Sequence, residues 1–395
     1  MNVKLLNVKY SPNVGDGLLV ECLEQHLREM PNMQGASSVD LAGRTAYCAS
    51  AVHREKMMWV LESVPGVMRP QLAHAGLKAK LAMGLRDHYR RELSGVRAVV
   101  VGGGNLLSDQ DLNFPVKLAA ALREAKAMDA RVAIYGCGVS AHWSRAGQRM
   151  LCSALAANPP VMTAVRDAAS KKAWDSLFAT AAGAEAGIVH DPGVLASRVH
   201  RFAGRDAGSE RPMAAIGIMS SLAIRYHGFA ALESDALGEW YLSLVDAMIA
   251  KGFDICLFTN GSPEDQRFAE TLWEKLAEHP YLPRIHKAAV HVPVDLCRVI
   301  HESEVVVAFR MHALIAAYSY GKPFVALKWD AKVDAFLESV GLEKCLVDVA
   351  NSSAQSVADL VTSASFRTVD GERLKTTMES ARRGIKELAL ALEGV

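Results

Sequence analysis

At 395 residues and 42.6 kDa the chain is too long for one ordinary core, and a length prior of about two to three domains resolves most simply to two. Hydrophobic residues make up 50% and charged residues 22%, enough to build two cores and unlike a disordered composition. The formal net charge of +1 and a pI near 7.7 exclude a global field for nucleic acid or an anionic membrane, so any anion site has to be local.

In chain order, Met1 to Val8 reads as a strand, Asn13-Val14-Gly15-Asp16-Gly17 as a polar glycine loop, and Leu18 to Arg28 as a helix. Residues Cys48 to Arg91 read as a helical insertion rich in Met, Arg and His. Arg97 to Val101 forms the next strand and runs into Gly102-Gly103-Gly104-Asn105-Leu106-Leu107, where three glycines let a ligand or another backbone come close. A helix near Pro115 to Met128 then leads to the strand Arg131 to Tyr135 and the loop Gly136 to Ser140. Val161 to Asp167 with the helix Ala168 to Phe178 adds another unit, and Gly187 to His190 leads into Asp191-Pro192. The polar stretch Arg198 to Arg211, ending against Pro212, is the natural linker. It divides the chain into an N-terminal α/β domain, 1–205, with its insertion near 48–91, and a C-terminal α/β domain, 206–395.

The second domain repeats the pattern. Ala214 to Met219 is a strand, Leu232 to Lys251 a long helix, and Asp254 to Phe258 a strand opening onto Thr259-Asn260-Gly261. Pro263 to Leu276 is helical, Arg284 to Ala289 a strand and Asp295 to His301 a short helix. Val305 to Ala308 is an apolar strand, Ala313 to Tyr320 a helix, Gly321-Lys322-Pro323 a turn and Phe324 to Leu327 a strand. Apolar runs without alternation predict parallel sheets covered by helices on both faces.

The chemistry-bearing residues gather where strands end. Arg310 and His312 follow the strand Val305 to Ala308, with Lys322, Lys328 and Lys332 beyond. In an open α/β sheet the carboxyl ends of strands face the ligand crevice. Arg310 offers a planar fork for a carboxylate or phosphate, and a lysine or a helix terminus can hold a second anionic group. Arg225, after the first strand of the second domain, is a candidate second fork; an exposed surface arginine is the plain alternative. Asp16 is either a helix cap or a carboxylate able to handle a proton, and His312 either binds an anion or takes the complementary proton.

Seven cysteines, Cys22, Cys48, Cys137, Cys152, Cys256, Cys297 and Cys345, show no paired or zinc-like spacing, which fits a reducing compartment. Asp109, Asp111, His190 and Asp191 have no closed ligand spacing, so no tightly bound metal is expected. The first residues lack a signal-peptide pattern and no run approaches a membrane span. The expected location is cytoplasmic, with room for work near the inner face of the membrane.

Taken in order, Asn13-Val14-Gly15-Asp16, Gly102 to Leu107, Val165-Arg166-Asp167 with Ser170, Asp191-Pro192, Arg310-Met311-His312-Ala313, Gly321-Lys322-Pro323 and Lys332 before Val340-Gly341-Leu342 resemble the polysaccharide pyruvyltransferase family across nearly the whole chain. The resemblance implies two Rossmann-like domains in a glycosyltransferase-B-like arrangement with an inter-domain cleft. It also implies transfer of a pyruvyl group from phosphoenolpyruvate to a sugar of a cell-surface polysaccharide or its precursor, as a ketal. On that basis Asp16 and His312 are the catalytic candidates, expected on opposite sides of one reaction centre. Arg310, His312, Arg225 and Lys332 are the donor contacts, and Asn13, Gly15, Gly103, Gly104 and Asn105 the acceptor or loop positions. No cofactor is expected beyond phosphoenolpyruvate as donor substrate. The acceptor would be a sugar, an oligosaccharide or a lipid-linked saccharide, with peripheral contact to membrane-bound assembly enzymes and no nucleic acid as partner. Alternatives are a nucleotide-sugar-dependent glycosyltransferase and a non-catalytic carbohydrate-binding or assembly protein. An NAD enzyme is disfavoured because neither glycine loop carries the dinucleotide fingerprint.

Overall fold

The structure, a computed structural model, describes residues 1–48, 69–203, 211–226, 233–363, 366 and 369–394. The chain forms two compact units. One comprises Met1–Ser11, Leu19–Pro192 and Glu379–Val395, and the other Pro12–Leu18 and Gly193–Met378.

The first unit is a six-stranded parallel sheet. Its strands are β1 (Asn2–Asn7), β2 (Gly35–Asp40), β3 (Ala98–Gly102), β4 (Arg131–Cys137), β5 (Met162–Val165) and β6 (Gly187–Ile188), in the order β2-β1-β3-β4-β5-β6. Every residue of β3 is buried, as expected for a central strand covered on both faces. Helices cover this sheet through a core that includes Val99, Val101, Leu118, Ile134, Leu151 and Trp174. From β1 the chain moves outward to β2 and then returns to β3 on β1's other side. The switch point therefore lies between the loops that follow β1 and β3.

Six parallel strands also form the second unit: β7 (Met213–Gly217), β8 (Asp254–Phe258), β9 (Ile285–Lys287), β10 (Val305–Ala308), β11 (Phe324–Leu327) and β12 (Leu346–Val347), ordered β12-β11-β10-β7-β8-β9. This is the doubly wound order of dinucleotide-binding sheets, with its switch point between β7 and β10. Gly217 is opposite Ala308 in that register, so Ile218 to Ser221 and Phe309 to Met311 leave the sheet side by side.

The expected fold class, α/β with two Rossmann-like domains, stands, while the division between the units differs from 205/206. Ser197 donates its backbone N–H to Ser319 Oγ at 2.9 Å and Ser319 Oγ reaches Ser197 Oγ at 3.1 Å, so residues before the polar stretch already belong to the second unit. The helix Gly371–Glu393 runs from the second unit into the first, where Arg131 donates to Leu392 O at 3.1 Å.

Of the predicted insertion, Arg69–Lys80, Leu81–Leu85 and Arg86–Glu92 are helical, and residues 49–68 lie outside the described residues. Arg86 Nε pairs with Glu124 at 2.7 Å and Tyr89 donates to Leu41 O at 2.6 Å, fastening the end of the insertion to the first unit. Strand β2 went unforeseen, because Gly35-Ala36-Ser37-Ser38-Val39-Asp40 is too polar and small to read as a strand. Among the described residues no helix is long and apolar enough to cross a membrane.

Candidate active site

Helix α1 (Val14–Arg28) begins inside the segment predicted as a loop. Asn13 Oδ1 accepts from Gly15 N at 3.2 Å, so Asn13 and not Asp16 supplies the cap. Val14 N donates to Asn260 O at 2.8 Å and Asp16 N to Asn13 O at 3.1 Å. The first three amides of α1 are thus spent on protein acceptors, and its chemistry rests with the Asp16 side chain in the first turn. Gly261, at φ 89°, lets the loop after β8 meet this turn: a Cβ there would lie 2.5 Å from Pro12 O. That contact explains why Pro12–Leu18 packs with the second unit.

Three further helices complete the second unit's cluster: α2 (Pro263–Leu276), α3 (Met311–Ser319) and α4 (Ala331–Val340). Arg310 is the residue that leads from β10 into α3, and its backbone is extended there. His312 is in the first turn of α3 and buried. Its Nδ1 lies 3.9 Å from Asp16 Oδ1, within ion-pair range and beyond a hydrogen bond. A Cβ on Gly15 would fall 2.5 Å from His312 Cβ and 2.6 Å from its Nδ1, so the missing side chain makes room for the imidazole. Asp16 and His312 were expected from separate domains. Both belong to one unit, because the first turn of α1 packs with the C-terminal sheet.

The guanidinium of Arg310 is largely buried, its side chain 12% exposed. Nε donates to Asp265 Oδ2 at 2.9 Å and Nη2 to the same oxygen at 2.5 Å. Asp265, in the first turn of α2, is fully buried, and its Oδ1 accepts from Ser220 N at 2.9 Å. Burial pushes the Asp265 carboxyl up, opposed by the Arg310 charge and the Ser220 amide. One carboxylate therefore joins the loops after β7 and β10 at the switch point.

Trp329 follows β11 and is buried, with its Nε1 donating to Phe309 O. The Arg310 guanidinium lies 5.6 Å and Lys332 Nζ 4.2 Å from its ring centre, both within cation–π reach. Lys332 Nζ also pairs with Asp330 Oδ2 at 3.0 Å, and Asp330 caps α4 by accepting from Lys332 N at 3.0 Å. The cluster thus combines a fork, an ammonium, an imidazole and a carboxylate. Arg225 lies on the helix Ser221–Tyr226, and its side chain falls outside the described residues.

Gly103, Gly104 and Asn105 belong to the first unit, after β3. Gly103 and Gly104 adopt φ 84° and 70°, and a Cβ on Gly103 would lie 1.9 Å from Leu19 Cδ1; glycine is therefore required for backbone and packing alike. Asn105 is exposed. A Cβ on Gly138 would meet Asn105 Oδ1 at 2.7 Å and Arg166 Nη2 at 2.4 Å, so these groups converge on the loop after β4. The Arg166 side chain is 6% exposed and pairs with Asp167 at 3.3 Å. Asp167 accepts from Ser170 N at 2.6 Å, and Ser170 Oγ accepts from Val139 N at 3.0 Å. Among the described residues, no group of three His, Cys, Asp or Glu side chains could hold a metal ion.

Sequence reasoning missed Asp265 and Trp329 as members of the site. An acid in the first turn of a helix ordinarily reads as a dipole complement, so Asp265 carried no distinguishing signal. Trp329, between Lys328 and Asp330, is signalled only by its place directly after a strand.

The fold is shared with sugar-nucleotide epimerases. The UDP-GlcNAc 2-epimerase from Methanocaldococcus jannaschii, in complex with UDP-GlcNAc and UDP, matches with a TM-score of 0.57 at 9% identity, covering 98% of this chain and 99% of that one. The UDP-GlcNAc 2-epimerase from Neisseria meningitidis bound to UDP-GlcNAc matches at 0.55 and 12% identity, covering 99% and 100%. The S. aureus MnaA–UDP structure matches at 0.53 and 12% identity, covering 96% and 90%. No curated protein matches the chain in sequence. A sequence model of the polysaccharide pyruvyl transferase family matches residues 13–331, spanning both glycine loops, Arg310 and His312, and the chain belongs to that family of transferases.

Proposed function

We propose that this enzyme transfers a pyruvyl group from phosphoenolpyruvate to two hydroxyls of a sugar, forming a ketal. The observation that carries the reading is the placement of Arg310 and His312 at the switch point of the second sheet, with Asp16 3.9 Å from His312. Phosphoenolpyruvate places a carboxylate and a phosphate close together. Arg310 can fork one of them while Lys332, which approaches the same Trp329 ring, holds the other.

The reaction balances without an added reagent. Carbon C3 of the enol gains a proton, C2 becomes electrophilic and bonds to one sugar oxygen, and a neighbouring hydroxyl closes the ring as the bond from C2 to the phosphate oxygen breaks. Two hydroxyl protons are released: one matches the hydrogen gained at C3 and the other leaves with phosphate. Asp16 and His312 are the pair suited to move them, one delivering to C3 and the other accepting from the attacking hydroxyl. The acceptor belongs to a polysaccharide or its precursor, free or lipid-linked, and the enzyme needs no cofactor beyond its donor.

The shared fold with enzymes bound to UDP and UDP-GlcNAc supports a second reading, sugar transfer from a nucleotide sugar. One screen separates the two: purified enzyme with phosphoenolpyruvate or nucleotide sugars across a panel of saccharides, read by mass spectrometry and phosphate release. A pyruvylated sugar with stoichiometric phosphate is expected. A transferred sugar with nucleotide release would replace the leading reading with the second.

A further inference from the structure

Arg310 is not an open fork. Its Nε and Nη2 both donate to Asp265 Oδ2, which occupies the side edge of the guanidinium, while Nη1 and the outer N–H of Nη2 lie on the end edge. Asp265 is itself held. It is fully buried, rises from the first turn of α2, and spends its other oxygen on Ser220 N. The loop bearing Ser220 is pinned again by Tyr241, whose hydroxyl accepts from Met219 N at 3.1 Å and donates to Gly217 O at 3.2 Å. The guanidinium lies within cation–π reach of Trp329, 5.6 Å from its ring centre, and that indole is tied to Phe309 O. A buried carboxylate thus holds one edge of Arg310, beside a buried indole.

A buried carboxylate on one arginine has a cost in desolvation and neutralises a charge that an anion site could use. A site needing positive charge alone would be better served without it. What the carboxylate adds is orientation: it fixes which edge of the fork is offered, and orientation to a fraction of an ångström is what donor alignment requires.

We propose that Asp265 is a positioning residue for donor binding, locking the side edge of Arg310 so that its end edge is presented to the anionic donor at the switch point. The inference rests on the donor reading above. A consequence is that Asp265 acts on the donor only through Arg310.

A double-mutant cycle tests this. Phosphoenolpyruvate affinity is measured by calorimetry on full-length wild type, D265N, R310A and the double variant, with thermal unfolding of each in parallel. Asn at 265 keeps an oxygen for Ser220 N and loses the carboxylate for Arg310. D265N is expected to weaken phosphoenolpyruvate binding about tenfold, the scale of one charge-assisted hydrogen bond, while in the R310A background the same substitution changes affinity by less than about twofold. A merely structural carboxylate would weaken both backgrounds alike, and that outcome overturns the proposal. So does wild-type affinity in D265N when R310A has lost the donor. If wild type binds phosphoenolpyruvate no better than R310A, the donor reading falls and takes this inference with it. Should D265N not fold, D265E carries the same test, since it keeps the charge and moves the acceptor by one methylene; unchanged affinity there also overturns the proposal.

Discussion

The packing of Gly15 against His312 makes the smallest substitution the most informative one. A methyl at Gly15 would sit 2.5 Å from His312 Cβ, closer than any real contact, and both atoms are on helices that cannot easily shift. Gly15→Ala is expected to displace the imidazole, cut turnover by at least about tenfold and cost about 1–3 kcal/mol from overpacking. The check is pyruvate incorporation beside thermal unfolding; unchanged turnover in a folded variant would separate His312 from the chemistry. Arg310→Lys keeps the charge but cannot give Asp265 Oδ2 two N–H groups while holding a donor on another edge. It is expected to weaken phosphoenolpyruvate binding by about tenfold or more, read by calorimetry. Asp16→Asn and His312→Gln keep most of the volume and should suppress pyruvate incorporation more than stability. Incorporation at the wild-type rate by both folded variants would remove them from the mechanism.

At the scale of elements, the central buried strands and the helix starts at Ala168 and Pro263 were legible, and the start of α1 was not. Ala98 to Gly102, Val305 to Ala308 and Phe324 to Leu327 are apolar throughout and buried throughout, because central parallel strands face helices on both sides. Gly15-Asp16-Gly17 looked like a loop, since glycine lowers helix propensity. Two tertiary facts override that propensity: the amide acceptor Asn260 O for Val14 and the close approach of His312 to Gly15. Both partners are remote in sequence, so no local pattern could announce them. The same reason hid the Asp265–Arg310 pair, whereas Arg310-Met311-His312 was legible because its place after a strand is a local feature. Asn13 now carries a testable load. Asn13→Ala removes the cap on Gly15 N and is expected to cost about 1 kcal/mol, visible as a lowered unfolding temperature. Asn13→Ser, which restores an acceptor, should recover most of it.

On the scale of the whole molecule, two sheets of the same size carry unequal shares of the chemistry. The loops after β3 and β5 of the first sheet offer positive-φ glycines, an exposed Asn105 and a buried Arg166 paired with Asp167. The second unit gathers Arg310, His312, Asp16 and Lys332. The chain enters the second unit at Pro12, leaves after Leu18 and returns at Gly193, so Asp16 joins Arg310, His312 and Lys332 from a segment remote in sequence. Donor binding should therefore stabilise a unit assembled from distant segments. A ligand held only by the native state adds RT ln(1 + [L]/Kd), about 2.7 kcal/mol at a hundredfold excess over Kd. Phosphoenolpyruvate is accordingly expected to raise the unfolding temperature of the wild type in a concentration-dependent way and to raise that of Arg310→Ala markedly less at equal concentration. Inorganic phosphate, which lacks the carboxylate, should protect less at equal concentration, because only one of the two anionic groups is present to be held. Equal protection of wild type and Arg310→Ala by phosphoenolpyruvate would move the donor away from the second switch point altogether.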